Sequence, residues 1–355
     1  MSRARRFASL RSLLPLALLC SSVAVAGSHG HGGGRDSGRD GGRDGGRGHS
    51  VSVEALSFDV TLSDGATYQI AATWYHRGSS KNTPLQVVVH GATYDHRYWD
   101  APEINGEDYS YADYMVDQGY AVLAIDQLGA GESDQPYGYF LTLDETASGL
   151  HQVLASLRGR GNPTGVAYEQ IALVGHSNGA LTAIYEESVY GSADALVTLG
   201  WGHTATELGL DEAWLGSLLA NPYVPETAFP EALRAPLFYY APMADPDMIT
   251  YDAENLASTM SAGQLYDLLV AMTWRTVDGA ADVTGPVYVQ LGDCDPVAPG
   301  AYSGLEASFW ASASSVDVEV VSDMGHDSNL HLNREQSWEG VVSWLDDTLP
   351  GGCDR

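Results

Sequence analysis

A series of short apolar runs, each ending at turn residues, narrows most what this chain can fold into. The runs are LQVVVHG (85–91), YAVLAIDQ (120–127), QIALVGHS (170–177), ADALVTLGW (193–201), VYVQLGD (287–293) and VDVEVVSD (316–323). Continuous β-branched runs of this length suit strands buried on both faces of a parallel sheet, since a strand with one wet face would alternate. Helical patterns lie between them. Leu143, Ala147, Leu150, Leu154 and Leu157 share one face at steps of four and three, and Trp338, Val341, Val342, Leu345 and Leu349 do the same near the end. Two earlier segments, VSVEALSFDV and TYQIAATWYH, alternate like strands around a turn at Gly65, which predicts a leading hairpin on an antiparallel edge. The expectation is an α/β fold with a mostly parallel eight-stranded sheet and helices on both faces.

One stretch breaks the rhythm. Residues 202–286 separate the sixth strand from the seventh and are rich in Trp, Tyr, Leu, Met and Pro, with helical pieces DEAWLGSLLA and SAGQLYDLLVAMTW. That is too long for a loop and predicts a cap inserted over the C-terminal edge of the sheet, where ligands of such sheets bind.

The N-terminus has the pattern of an export signal over residues 1–26. Arg3, Arg5, Arg6 and Arg11 precede the apolar run LLPLALLCSSVAVA, and Ala24-Val25-Ala26 offers small residues for cleavage. Residues 27–50 form a Gly/Arg/Asp-rich low-complexity segment that cannot build a core, so a flexible linker is expected before a domain at 51–355. These features predict a secreted or periplasmic protein with no membrane span once the signal is removed. Residues 51–355 carry nine basic against 43 acidic side chains, a net charge of about −34, with Lys81 the sole lysine. A domain this acidic repels nucleic acid and anionic membranes. Cys294 and Cys353 remain after Cys20 leaves with the signal, and an exported chain permits a bridge between them that spacing alone does not establish.

The chemistry-bearing motif is Gly175-His176-Ser177-Asn178-Gly179, the only G-x-S-x-G in the chain. QIALVGHS is a strand ending at the serine and NGALTAIYEESVY opens as a helix. A sharp strand-to-helix turn exposes the hydroxyl above the sheet, demands small residues two positions away, and sets a helix N-terminus beneath developing negative charge. A serine needs a base. His326, just after the last strand, emerges at the same sheet edge as Ser177, with His331 in reserve. His176 is expected to pack the turn, and His203 to begin the cap and line the pocket. Asp293 and Asp295 both follow the seventh strand and are the candidates for the third group, which orients the imidazole. No G-x-x-x-x-G-K-[ST] loop and no H-E-x-x-H helix occur, and neither cofactor nor metal is expected.

In this order VVVHGATYDHRYWD, IDQLGAGESDQP, VGHSNG, LGDCDPVAP and DMGH resemble the motifs of the α/β-hydrolase superfamily, across nearly all of residues 51–350. The resemblance implies catalysis by Ser177, His326 and an acid. The family's G-x-x-D pattern, counted from Gly292, falls on Asp295. It implies an oxyanion hole from the backbone N–H groups of Ala92 and Asn178. His90 is expected to brace its loop, Asp126 to brace the turn at 129–133, and Tyr94 to pack as an aromatic, the alternative being a hydroxyl pointed into the site. The implied activity is hydrolysis of a small hydrophobic ester or lactone through an acyl-enzyme on Ser177. The alternatives are amidase, C–C hydrolase or cofactor-free peroxidase chemistry on the same scaffold, or ligand binding without turnover. Serine rather than aspartate at the turn argues against haloalkane dehalogenase and epoxide hydrolase chemistry.

Overall fold

The computed structural model describes residues 50–204 and 208–349. The chain divides into Met1–Ser50 and Val51–Arg355, and the described strands and helices all belong to the second unit. The expected signal, all of the expected linker but Ser50, and Cys353 with its possible bridge lie outside the described residues.

From the N-terminus come β1 (Ser52–Thr61), β2 (Thr67–His76), β3 (Leu85–Val89), α1 (Tyr111–Asp117), β4 (Ala121–Ile125), α2 (Leu143–Leu157), β5 (Ile171–His176), α3 (Asn178–Val189) and β6 (Ala195–Leu199). An insertion follows with α4 (Glu212–Leu218), β7 (Tyr223–Val224), α5 (Glu231–Phe238), α6 (Pro246–Tyr251), β8 (Met260–Ser261) and α7 (Ala262–Thr273). The chain closes with β9 (Pro286–Gly292), β10 (Ser315–Val321) and α8 (Arg334–Thr348). Eight strands form one sheet in the order β1-β2-β4-β3-β5-β6-β9-β10. Only β2 runs against its neighbours; from β4 to β10 every pairing is parallel. The fold is that of an α/β hydrolase, with helices on both faces of a mostly parallel sheet.

Every residue of β3, β4, β5 and β6 is buried, which is why their sequences read as apolar runs, with Gln86, His176 and Thr198 as buried polar exceptions. The pleat still divides them. Val88, Val122, Ala124, Val174 and Val197 join a core with Tyr111 and Met115 of α1 and Trp338 and Leu345 of α8. Val89 and Ile125 point the other way, toward Thr146 and Leu150 of α2 and Thr182 of α3. The leucine stripe of the sequence is the buried stripe of α2: Leu143, Leu150, Leu154 and Leu157 are all covered.

The insertion holds more than the two expected helices. Both expected pieces are helical, as α4 and α7, but a two-residue ladder pairs Tyr223 with Ser261 and Val224 with Met260, and α5 carries Pro236 in its interior. Two-residue strands leave no periodicity, and a proline inside a short segment argues against a helix. The insertion is fastened to the sheet's upper loops. Gly263 N–H donates to Gly138 O at 3.0 Å, Leu143 N–H donates to the Asp267 carboxylate at 2.8 Å, and Ser258 N–H donates to Thr93 O at 2.8 Å.

Candidate active site

The strand order reverses at β3. The chain leaves β3 for β4 on one side and returns to β5 on the other. In open α/β sheets this switch opens a crevice above the strand ends, where ligands bind. Two loops meet there: His90-Gly91-Ala92 after β3, and Ser177 after β5.

Ser177 sits between β5 and α3 at φ 52°, ψ −117°. This conformation is strained for a residue with a Cβ and is held only because its surroundings over-determine it. Close approach explains the flanking glycines. A Cβ on Gly175 would lie 2.5 Å from Ala180 Cα, and one on Gly179 would lie 2.1 Å from Val89 O. The strand, the turn and the helix can be this close only with hydrogen at both positions. Ser177 N–H donates to Leu199 O at 2.9 Å, and its carbonyl accepts Leu181 N–H at 3.1 Å. The backbone is thus fixed on both sides while the hydroxyl stays free to bond.

The hydroxyl meets His326 at 2.9 Å from Nε2. His326 Nδ1 lies 2.9 Å from Asp295 Oδ2. The other carboxylate oxygen accepts Val297 N–H at 2.7 Å and Ala298 N–H at 3.0 Å, which fixes the acid in its loop. A carboxylate at Nδ1 places the imidazole hydrogen there and leaves the Nε2 lone pair facing the serine. Asp295 and His326 are buried and Ser177 is half-buried. Asp293, the other candidate acid, is exposed, its backbone N–H bonded to Val321 O at 3.1 Å. The structure therefore brings Ser177, His326 and Asp295 into one hydrogen-bonded line and leaves Asp293 out of it. Ala92 forms part of the cavity wall with Gly91. Asn178 opens α3, so its N–H is among the first-turn donors that have no acceptor within the helix.

The other histidines around the site are committed elsewhere. His331 Nε2 accepts Tyr240 N–H at 3.0 Å and Gly325 N–H at 3.1 Å, and Nδ1 donates to Asp327 O at 2.9 Å; burial pushes its imidazole down to about 4. His176 Nε2 donates to His326 O at 3.0 Å, its ring stacks on Tyr98 with centroids 4.6 Å apart, and burial, with His326 beside it, holds it well below the usual imidazole range. His90 Nε2 accepts Gln127 N–H at 3.0 Å and bridges two loops. Asp126 accepts His96 N–H at 2.7 Å and Glu132 N–H at 2.8 Å, bracing the turn as its position suggests. His203, expected in the pocket wall, is instead clamped. Its Nε2 lies 2.9 Å from Asp278 and its Nδ1 bonds Glu306. Burial opposes its charge, but Asp278 and then Glu306 outweigh burial and push the imidazole up to about 10. Two buried carboxylates drew this ring away from the site, and nothing local in the sequence marks either one.

Above Ser177 the insertion closes a cavity of about 70 Å³. Leu215 of α4, Leu237 and Phe238 of α5, Leu268 and Met272 of α7, and Phe229 face it. Its polar side chains are Ser177, His176, His326, Tyr94 and Asp327. Sequence reasoning missed Asp327 and the group behind it. Tyr94 is packed as expected, yet its hydroxyl also reaches Asp327 at 2.6 Å and Asp252 at 3.0 Å. Asp252 pairs with Arg234 at 3.0 Å and accepts the Tyr239 hydroxyl at 2.9 Å. The one available signal was Asp327 following His326 directly in the chain.

Known proteins place the chain. Residues 86–343 match the model of the alpha/beta hydrolase family. A search of curated proteins found no match. Among solved structures, a bromoperoxidase from Bacillus anthracis superposes with TM-score 0.60 at 22% identity, over 82% of this chain and 100% of that one. An esterase from Exiguobacterium antarcticum gives TM-score 0.59 at 19% identity, over 82% and 99%. An epoxide hydrolase from Vigna radiata gives 0.54 at 14%, over 83% and 98%. At these identities the likeness is one of fold, while the family match spans most of the chain: the protein belongs to the alpha/beta hydrolase family.

Proposed function

We propose that the protein is a serine hydrolase that cleaves carboxylic esters or lactones through an acyl-enzyme on Ser177. The observation that carries this reading is the hydrogen-bonded line Ser177–His326–Asp295 ending in an apolar cavity. Ser177 Oγ attacks the carbonyl carbon while its proton passes to His326 Nε2. Asp295 stabilises the imidazolium. The new oxyanion meets the N–H groups of Ala92 and Asn178, which were oriented before the reaction and so cost nothing to reorganise. Collapse of the intermediate releases the alkoxide, which takes the proton from His326. Water repeats the sequence on the acyl-enzyme and returns the proton to Ser177.

The leucine, phenylalanine and methionine walls favour an apolar group on the substrate, and a cavity of about 70 Å³ favours a short one. Hydrolysis of p-nitrophenyl esters should be at least about tenfold faster, by kcat/KM, on acetate or butyrate than on palmitate, since each methylene that fits is worth a sizeable factor and each that does not must displace a wall. A palmitate optimum would refute the short-chain assignment. Failure of a serine-directed phosphonate to label the folded protein would refute the serine mechanism. Exposed Asp293 serves as the control: Asp293→Asn should leave kcat within about twofold.

The reading extends to location. An export signal over residues 1–26 predicts a mature N-terminus at Gly27, and Edman sequencing of protein recovered outside the cytoplasm would show it. An intact Met1 would count against export.

A further inference from the structure

The contacts of Tyr94 pose a problem of proton counting. Its hydroxyl oxygen lies 2.6 Å from Asp327 Oδ2 and 3.0 Å from Asp252 Oδ2. All three side chains are buried, and a phenol has one hydrogen to give. Only one contact can use it. The other must be bridged by a hydrogen on a carboxyl group, or two bare lone pairs would face each other away from water.

The surroundings decide which carboxyl is the acid. Asp252 has the partners a carboxylate needs: Arg234 donates to Oδ1 at 3.0 Å and Tyr239 donates to Oδ2 at 2.9 Å. Asp327 has no such support. Its Oδ1 accepts no hydrogen bond among the described residues. His176 Nε2, 3.7 Å from it, gives its hydrogen to His326 O. With the hydrogen on Asp327 Oδ2, the chain runs from Asp327 to Tyr94 and from Tyr94 to Asp252, and the only charges left are Arg234 and Asp252, which cancel.

We propose that Asp327 is held as a neutral carboxylic acid, and that losing this proton slows acyl transfer by placing a second negative charge in the cavity wall where the oxyanion forms. The functional half rests on the reading of Ser177 as nucleophile. Burial, followed by the charge of Asp252, pushes the Asp327 carboxyl up to about 7, so its proton is lost as pH rises through neutrality. Of the other groups facing it, three tyrosines and two histidines do not titrate there. Burial raises Tyr94, Tyr98 and Tyr239 well above the usual phenol range. It lowers His331 to about 4 and holds His176 well below its usual value. Arg234 stays charged. His326, beside Asp327 in the chain and bonded to Asp295, also faces it and is present in wild type and Asp327→Asn alike. Burial raises the Asp252 carboxyl too, against Arg234, Tyr239 and Tyr94, so the pair titrates as one unit. The donors on Asp252, and the lack of any on Asp327 Oδ1 among the described residues, place the shared proton on Asp327.

Asp327→Asn separates charge from shape. An asparagine amide presents N–H where the acid has O–H and a carbonyl where Oδ1 stands, and it never ionises. The rate of Ser177 labelling by a serine-directed phosphonate should be measured across pH for both proteins. The ratio of the variant's rate to the wild type's should grow about tenfold or more between about pH 6 and pH 9. A constant ratio overturns the functional half. Burial and Glu186 raise Glu187 to about 9, and burial raises Asp113 to about 6, so infrared difference spectra, which need no turnover, should be compared between the two proteins. Wild type should show one protonated carboxyl band near pH 6 more than Asp327→Asn, fading on alkalinisation. Identical carboxyl bands in wild type and Asp327→Asn overturn the proton assignment. A wild type that is not labelled at any pH refutes the Ser177 reading and the functional half with it, while the infrared band still decides where the proton is.

Discussion

Ser177→Ala will lower ester hydrolysis by about 10⁴-fold or more while the protein stays folded. The substitution removes the one atom that forms the acyl bond. What remains is the cavity and the N–H groups of Ala92 and Asn178, which alone give serine hydrolases their residual rate over water. Stability should hold, because no hydrogen bond from the Ser177 backbone depends on its side chain: its N–H still reaches Leu199 O and its carbonyl Leu181 N–H. Asp295→Asn should cost about 10³- to 10⁴-fold in kcat by a different route. Its amide N–H₂ facing His326 Nδ1 would force that nitrogen to accept, moving the ring hydrogen to Nε2, where it opposes the serine proton. Both are read from kcat on a short p-nitrophenyl ester beside the melting temperature. Ser177→Ala with wild-type turnover would end the serine-hydrolase reading.

Arg234→Leu will destabilise the fold by about 3–5 kcal/mol, the usual cost of leaving one member of a buried ion pair alone. Arg234 and Asp252 are both fully buried. The guanidinium also donates to Phe229 O at 2.8 Å and to Thr93 O at 3.3 Å, and lies 4.7 Å from the centre of the Tyr94 ring. It ties α5 to the loop that follows β3. Without it Asp252 must either lose its charge or drag water inward. Burial already raises that carboxyl, with Arg234 as the chief opposing influence. In the variant the folded state therefore holds the Asp252 proton to higher pH than the unfolded chain does. The sign is then set: the loss should be smallest in acid and grow as pH rises through the folded-state pKa. Replacing both partners, Arg234→Leu with Asp252→Leu, should recover part of it. Urea unfolding at two pH values measures all three proteins. A single variant within about 1 kcal/mol of wild type would show that the pair does not hold the insertion down.

Features set by local sequence were legible, and those set by distant partners were not. The centre of the sheet was legible because strands covered on both faces are apolar at nearly every position, as in AVLAI and IALVG. The turn at Ser177 was legible because van der Waals contact with Val89 O and Ala180 forbids anything but glycine at two fixed offsets. The contact of Ser177 with His326 spans 149 positions, yet it could be anticipated because parallel strands deliver both residues to one edge. α1 escaped notice since seven residues cannot show a helical period; it is set by its cap, with Ser110 Oγ accepting Asp113 N–H at 3.0 Å. The Tyr94–Asp327–Asp252–Arg234 group was illegible for a different reason. Its members are up to 233 positions apart, and buried polar residues satisfied by distant partners leave no periodic trace. His203 was misplaced on the same ground, since Asp278 and Glu306 are distant in the chain and become its neighbours only on folding.

That histidine has a consequence for how the molecule tolerates change. His203 stands at the beginning of the excursion between β6 and β9, and Asp278 near its end, with Nε2 and the carboxylate 2.9 Å apart. The excursion between them therefore begins and ends at one point of contact. The entropic cost of closing such a loop rises only slowly with its length. Length can thus change between those ends at small entropic cost, but only where the contacts that fasten the insertion, Gly263 to Gly138, Asp267 to Leu143 and Ser258 to Thr93, are kept.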